Sequence, residues 1–208
     1  ATRVLVVGMG KREGFNLEGV RQTAAAAIQR AQALKAKEVA TIVHGAGIAG
    51  LPAAAQATVE GSLLALYTYE KKNDEGIAGL TIIEFDETKL AEIERGVKVG
   101  TAVVTGTTLA RDLVNMPPNI ATPKKMAQTA TQIAEDHNMS LNVGGRKWAA
   151  KHKMGAFLAV AQGAGFSPKF IVIEHNGDRI DLPTIVLVGK GITFDTGGIS
   201  IKPSADMG

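Results

Sequence analysis

The sequence predicts an α/β fold, and three observations carry that reading. Short runs rich in β-branched residues recur at Arg3–Val7, Glu38–Val43, Leu80–Phe85 and Thr184–Val188, each of a length that suits a buried strand. Between them lie Ala-rich stretches with helical spacing, notably Leu17–Leu34 and Ala53–Tyr69. Glycine-rich turns close the first two strands, Gly8-Met9-Gly10 and His44–Gly50. Strands that alternate with helices imply parallel β/α units covered on both faces.

Each element follows from local chemistry. Pro52 suits the first turn of the helix that follows His44–Gly50. The polar stretch Lys71–Gly76 reads as a loop before the third strand. From Thr88 to about Met116 the pattern is helical, with Gly96 to Gly100 a candidate break. It stops at Asn115-Met116-Pro117-Pro118-Asn119, because a residue before Pro avoids the helical region. That double Pro is the best candidate for a domain boundary. Thr122-Pro123 restarts a helix with an N-cap and a first-position Pro, running to about His137. Leu141–Val143 and Lys169–Glu174 read as further strands.

Composition bounds the function. The chain has 208 residues, 24 of them Gly and none Cys. That length allows one large domain or two small ones, each able to bury a core. Zero Cys excludes a disulfide framework, a thiolate metal site and a cysteine nucleophile. The formal charge of +3 is too weak to argue for nucleic acid, whose binders concentrate charge on one face. No apolar run reaches the ~18 residues of a membrane span. Ala1 to Gly8 lack the basic head and long apolar core of a signal peptide. A soluble intracellular protein is the expectation.

Most motif searches return little. Gly8-Met9-Gly10 fails the dinucleotide fingerprint because position 13 is Glu, and Gly189-Lys190-Gly191 only superficially resembles a phosphate-binding loop. His44–Gly50 reads as a tight strand-to-helix loop before it reads as an anion cradle. His44, His137, His152 and His175 have no partners at metal-ligand spacing. The basic run Arg146–Lys153 reads as a solvated helix face. No G-x-S-x-G elbow is present, so an α/β-hydrolase is not indicated.

The informative segment is Val188–Pro203. It begins at the carboxyl end of a buried strand, where open α/β sheets build their sites. Lys190, Asp195 and Lys202 are the only charged residues between Asp181 and Asp206. Glycines flank Lys190 and follow Asp195, so the backbone is free to fold the three charges towards one point. On pattern alone, an active-site loop and an ordinary solvated loop both stay open.

The run Gly-Lys-Gly-Ile-Thr-Phe-Asp-Thr-Gly-Gly-Ile-Ser-Ile-Lys-Pro from Gly189 to Pro203 resembles the signature of the leucyl aminopeptidase family, the two-metal cytosolic aminopeptidases of the M17 type. Ala110–Asn119, Met154–Gly163 and Lys169–Glu174 resemble the same family in the same order. The resemblance covers residues 101–208 well and residues 1–100 only in general layout. It implies an N-terminal macro-domain-like α/β domain over 1–100 and a linking helix over 101–116. The start of a zinc-aminopeptidase-type α/β catalytic domain follows over 117–208.

The same resemblance implies roles for individual residues. Lys190, through a deprotonated amine, and Asp195, as a bridging carboxylate, would ligate two divalent ions (Zn²⁺, Mn²⁺ or Mg²⁺). Lys202 would be catalytic, its ammonium stabilising the oxyanion formed on the peptide carbonyl. Peptide substrates with leucine-like N-terminal residues, a homo-hexamer and a cytoplasmic location are implied as well. Further family ligands, an aspartate just beyond this sequence, then an Asp and a Glu, with a catalytic Arg, have no counterpart residues here. The expectation is an N-terminal portion of a longer metalloaminopeptidase, inactive alone. The alternative is a non-catalytic binding module whose macro-domain-like domain takes a nucleotide-like ligand. A nucleic-acid role has family precedent, but the weak charge excess gives it little support.

Overall fold

The computed structural model describes residues 3–69 and 76–206. The expected polar loop over Lys71–Gly76 lies, apart from Gly76, outside the described residues. The architecture is mixed α/β, and the chain divides into two compact units, Ala1–Asn115 and Met116–Gly208. Among the described residues no helix is long and apolar enough to cross a membrane.

The first unit is built from α1 (Leu17–Ala33), β1 (Glu38–Thr41), α2 (Ala46–Ala49), α3 (Leu51–Ala65), β2 (Gly79–Ile82) and α4 (Leu90–Asn115). Asn16 starts α1 by accepting a hydrogen bond from the Gly19 amide at 3.0 Å, satisfying an otherwise orphaned donor. β1 and β2 pair in parallel with Glu38 opposite Gly79, so the α2–α3 segment between them acts as the crossover. α3 is the centre of the unit, packed by α1 and by α4. Its small residues Ala54, Ala55, Ala57, Thr58, Gly61 and Ser62 are all buried. Ile28 and Val20 of α1 fill the space beside it, each contributing about 1.5–3 kcal/mol of apolar burial.

Glycine sets how close these helices come. A Cβ on Gly61 would overlap the Arg21 carbonyl of α1, and one on Gly96 would overlap the Pro52 carbonyl of α3. Gly100 faces the Gln56 carbonyl and Val59 in the same way. The break expected near Gly96–Gly100 is therefore absent: α4 runs unbroken for 26 residues. Packing against α3 outweighs the ~1 kcal/mol helix penalty of each glycine. Of residues 101–116, read from the sequence as a linking helix, 101–115 form the later part of α4.

The second unit contains α5 (Pro123–Asp136), β3 (Ser140–Gly144), α6 (Arg146–Lys151), α7 (Gly155–Val160) and β4 (Phe170–Glu174). Thr122 caps α5, its hydroxyl accepting from the Lys125 amide at 3.3 Å. Ala127, Ala130 and Ala134 line the buried face of that helix. β3 and β4 pair antiparallel, Gly144 opposite Phe170. The parallel pairing expected of the alternating strands and helices holds for β1 and β2 and does not extend to this pair. The two six-residue helices between the strands return the chain beside the end of β3 instead of carrying it back to the start. Trp148 stacks on Phe170 at 5.4 Å, and Phe157 meets Phe170 edge-on at 5.8 Å.

Two expected strands do not form. Arg3–Val7 and Thr184–Val188 lie outside any ladder, and Val6 and Leu187 are 89% and 93% exposed. A strand needs a neighbour to take its backbone hydrogen bonds, and neither run has one among the described residues. The glycine-rich stretch after β1 holds the single turn α2, with Gly45 and Gly50 at φ 78° and 82° on either side.

Candidate metal centre

Past the apolar run Thr184–Val188 the chain has no helix or ladder until a short 3-10 turn at Ser204–Asp206. Its shape there comes from its own polar groups. Lys190 Nζ donates to Asp195 Oδ2 at 2.7 Å, and Lys202 Nζ lies 3.9 Å from the same oxygen. Asp195 Oδ1 accepts from the Gly197 amide at 3.0 Å. The Lys202 amide donates to the Thr196 carbonyl at 2.9 Å, closing the loop. Gly197 and Gly198 supply the reversal with φ of 92° and 70°, a region that other residues enter at a cost.

All three residues singled out from the sequence thus meet at one oxygen. The lysines and the aspartate are substantially exposed, and surface ion pairs of this kind contribute little to stability. The electrostatic effect on the carboxylate is clear all the same. The Lys190 ammonium, then the Gly197 amide and the charge of Lys202, hold the Asp195 carboxyl below its ordinary 3.8. It is ionised at neutral pH.

The donor types, though not their number, suit a divalent ion. Asp195 Oδ2 already takes a cationic group at contact distance, and the adjoining Lys190 nitrogen becomes a donor once deprotonated. A deprotonated amine and a carboxylate are both donors that divalent ions accept. Two side chains are fewer than a metal pair requires. Among the described residues no group of three or more His, Asp and Glu is placed to share an ion.

The four histidines, which the sequence offers no metal-ligand partners, have other surroundings. His44 is half-buried, 3.2 Å from the Thr41 hydroxyl. His152 stacks on Trp148 with centroids 4.1 Å apart. His137 and His175 border a polar depression with Ser140, Glu174 and Asp178 at one end of the β3–β4 ladder. The groups that sequence reasoning did not name are backbone: the Gly197 amide and the Thr196 carbonyl. Their signal was the Asp-Thr-Gly-Gly run, a pattern in which a carboxylate bonds the amide two residues on.

Comparison with known proteins gives the family. The profile of the cytosol aminopeptidase family, catalytic domain, matches residues 108–208, and that of the same family's N-terminal domain matches residues 1–75. The chain belongs to the cytosol aminopeptidase family. It is 41% identical over its whole length to a probable cytosol aminopeptidase of Roseiflexus castenholzii, and 36% identical to one of Alkaliphilus oremlandii. It spans 44% and 43% of those two relatives, less than half of each.

Solved structures agree. The bottromycin maturation enzyme BotP in complex with Mn superposes with a TM-score of 0.79 at 27% identity, over 96% of this chain and 42% of that one. A tomato leucine aminopeptidase mutant superposes with a TM-score of 0.65 at 28% identity, over 74% of this chain and 32% of that one.

Proposed function

We propose that the protein to which this chain contributes is a divalent-metal aminopeptidase of the leucyl aminopeptidase type, releasing N-terminal residues from peptides. The observation that carries this reading is the convergence of Lys190, Asp195 and Lys202 on one loop, inside the segment matched by the family's catalytic domain. Lys190 and Asp195 would hold the metal, and two ions, Zn²⁺ or Mn²⁺, are the expected complement. When bound, the metal supplies Lewis acidity that polarises the peptide carbonyl.

The chain's own groups divide the remaining work. Asp195 presents an ionised oxygen. Lys190 gives up the proton on Nζ to act as a nitrogen donor. Lys202 keeps its proton, and its ammonium is aimed at the developing oxyanion. The likeness to the family supports this division of roles; in the loop Nζ of Lys190 contacts the carboxylate at 2.7 Å and that of Lys202 stands 3.9 Å away. The family's other ligands belong to the part of the relatives that this chain does not span. A cytoplasmic homo-hexamer completes the reading.

The test is hydrolysis of leucyl-p-nitroanilide and short peptides by the full-length natural protein loaded with Mn²⁺ or Zn²⁺. Chelation should abolish activity, and Lys202→Ala should lower kcat by about 10²–10³-fold, as removing one oxyanion donor does. Failure to release any N-terminal residue with Mn²⁺, Zn²⁺ or Mg²⁺ would overturn the assignment.

A further inference from the structure

The two oxygens of Asp195 have different employment. Oδ1 is taken by the Gly197 amide at 3.0 Å. Oδ2 faces both lysines. The backbone that makes this division admits no side chain at residue 197. Its φ is 92°, and a Cβ there would overlap the Ser200 carbonyl and press on the Lys202 amide and Cγ at 3.1 Å each. Gly198 also has a positive φ, 70°, but a Cβ there would meet nothing within 4 Å. The two adjacent glycines therefore separate backbone strain from crowding.

We propose that Gly197 is a positioning residue for the metal loop: its amide fixes Asp195 so that Oδ2 is presented to the cation, and its missing side chain lets Lys202 fold back to the same oxygen. The proposal rests on the metal-dependent reading above and names a residue outside the ligand and oxyanion groups. It acts through two joined contacts. The Gly197–Asp195 hydrogen bond fixes the carboxylate. The space beside Gly197 lets the Lys202 amide reach the Thr196 carbonyl at 2.9 Å, which sets where the Lys202 side chain starts.

Gly197→Ala and Gly198→Ala, made in the full-length natural protein, test this. Mn²⁺ affinity, measured by competition with a chelating dye, is read beside kcat and KM. Gly197→Ala should weaken Mn²⁺ binding about 10–100-fold, the usual effect of losing a group that orients a ligand, and lower kcat while KM moves much less. Gly198→Ala carries the strain of a positive φ without the collision, so it should weaken Mn²⁺ binding and lower kcat several-fold less than Gly197→Ala.

Equal effects of the two variants, or wild-type Mn²⁺ affinity in Gly197→Ala, would overturn the proposal while leaving the aminopeptidase reading intact. A wild-type protein that binds no divalent ion and cleaves no peptide would overturn that reading instead. A second measurement covers a Gly197→Ala protein that does not fold. The Gly197 amide of the metal-free protein should exchange with solvent about tenfold faster in Asp195→Ala than in wild type. An unchanged exchange rate would overturn the positioning role directly.

Discussion

Glu60 sits on α3 at 5% exposure, a place where a carboxylate is costly unless it is paired. Arg21 Nε donates to it at 2.6 Å and Gln56 Nε2 at 2.7 Å. Removing Arg21 leaves that charge buried with one neutral partner. Arg21→Met should therefore destabilise the protein by roughly 2–3 kcal/mol, read as a lower urea midpoint, whereas Glu60→Gln should cost less. Equal midpoints for Arg21→Met and wild type would show that the pair carries no such weight.

His44 offers a pH-dependent counterpart. Burial pushes its imidazole below the ordinary 6.5, so the folded state favours the neutral ring. Its contribution to stability is full above pH 6.5 and is lost as pH falls through the lowered folded value. An NMR titration of its ring protons should give a midpoint below 6.5; one at or above 6.5 would contradict the burial. The charged residues of the metal loop were legible in the sequence, because Lys190, Asp195 and Lys202 stand isolated in an apolar, glycine-rich run. The Gly197 amide went unread: its signal, the Asp-Thr-Gly-Gly run, marks a turn and does not name the donor as part of a site.

At the scale of elements, helix starts were the most legible features. Pro52 and Thr122-Pro123 mark them by chemistry that acts within one turn, whereas the Asn16 cap of α1 went unread. The glycines inside α4 misled, since a sequence does not distinguish a glycine that ends a helix from one that admits a neighbour. Their difference is measurable. Gly106 faces open space, so Gly106→Ala should stabilise the protein by about 0.5–1 kcal/mol through helix propensity. Gly96→Ala should destabilise it, because the new methyl group collides with the Pro52 carbonyl. Thermal denaturation of the two variants should move in opposite directions, and a shared upward shift would mean that α4 and α3 are not in close contact.

At the scale of the whole molecule, the unpaired runs are the main departure from expectation. Thr184–Val188 has the composition of a buried strand, yet Ile185, Leu187 and Val188 are largely exposed. Strand identity is local, but strand pairing depends on residues far away or on other parts of a longer protein, and period-two apolarity alone says nothing about them. The antiparallel β3–β4 pair was missed for the same reason. In the 208-residue chain, amides across 184–188 should exchange with solvent far faster than those of α3, as hydrogen-exchange mass spectrometry would show. In a protein as long as the relatives they should become protected. Persistent fast exchange there would mean that this run is a true loop.

The metal loop obeys different rules from those strands. Every contact that shapes it joins residues between Lys190 and Lys202. Closing so short a loop costs little chain entropy, and contacts of low sequence separation form without waiting for distant segments to meet. The loop is thus a feature of low contact order, set by a dozen or so consecutive residues. The sheet that should anchor it depends on long-range pairing, so this cluster of three charges is specified more locally than the architecture around it.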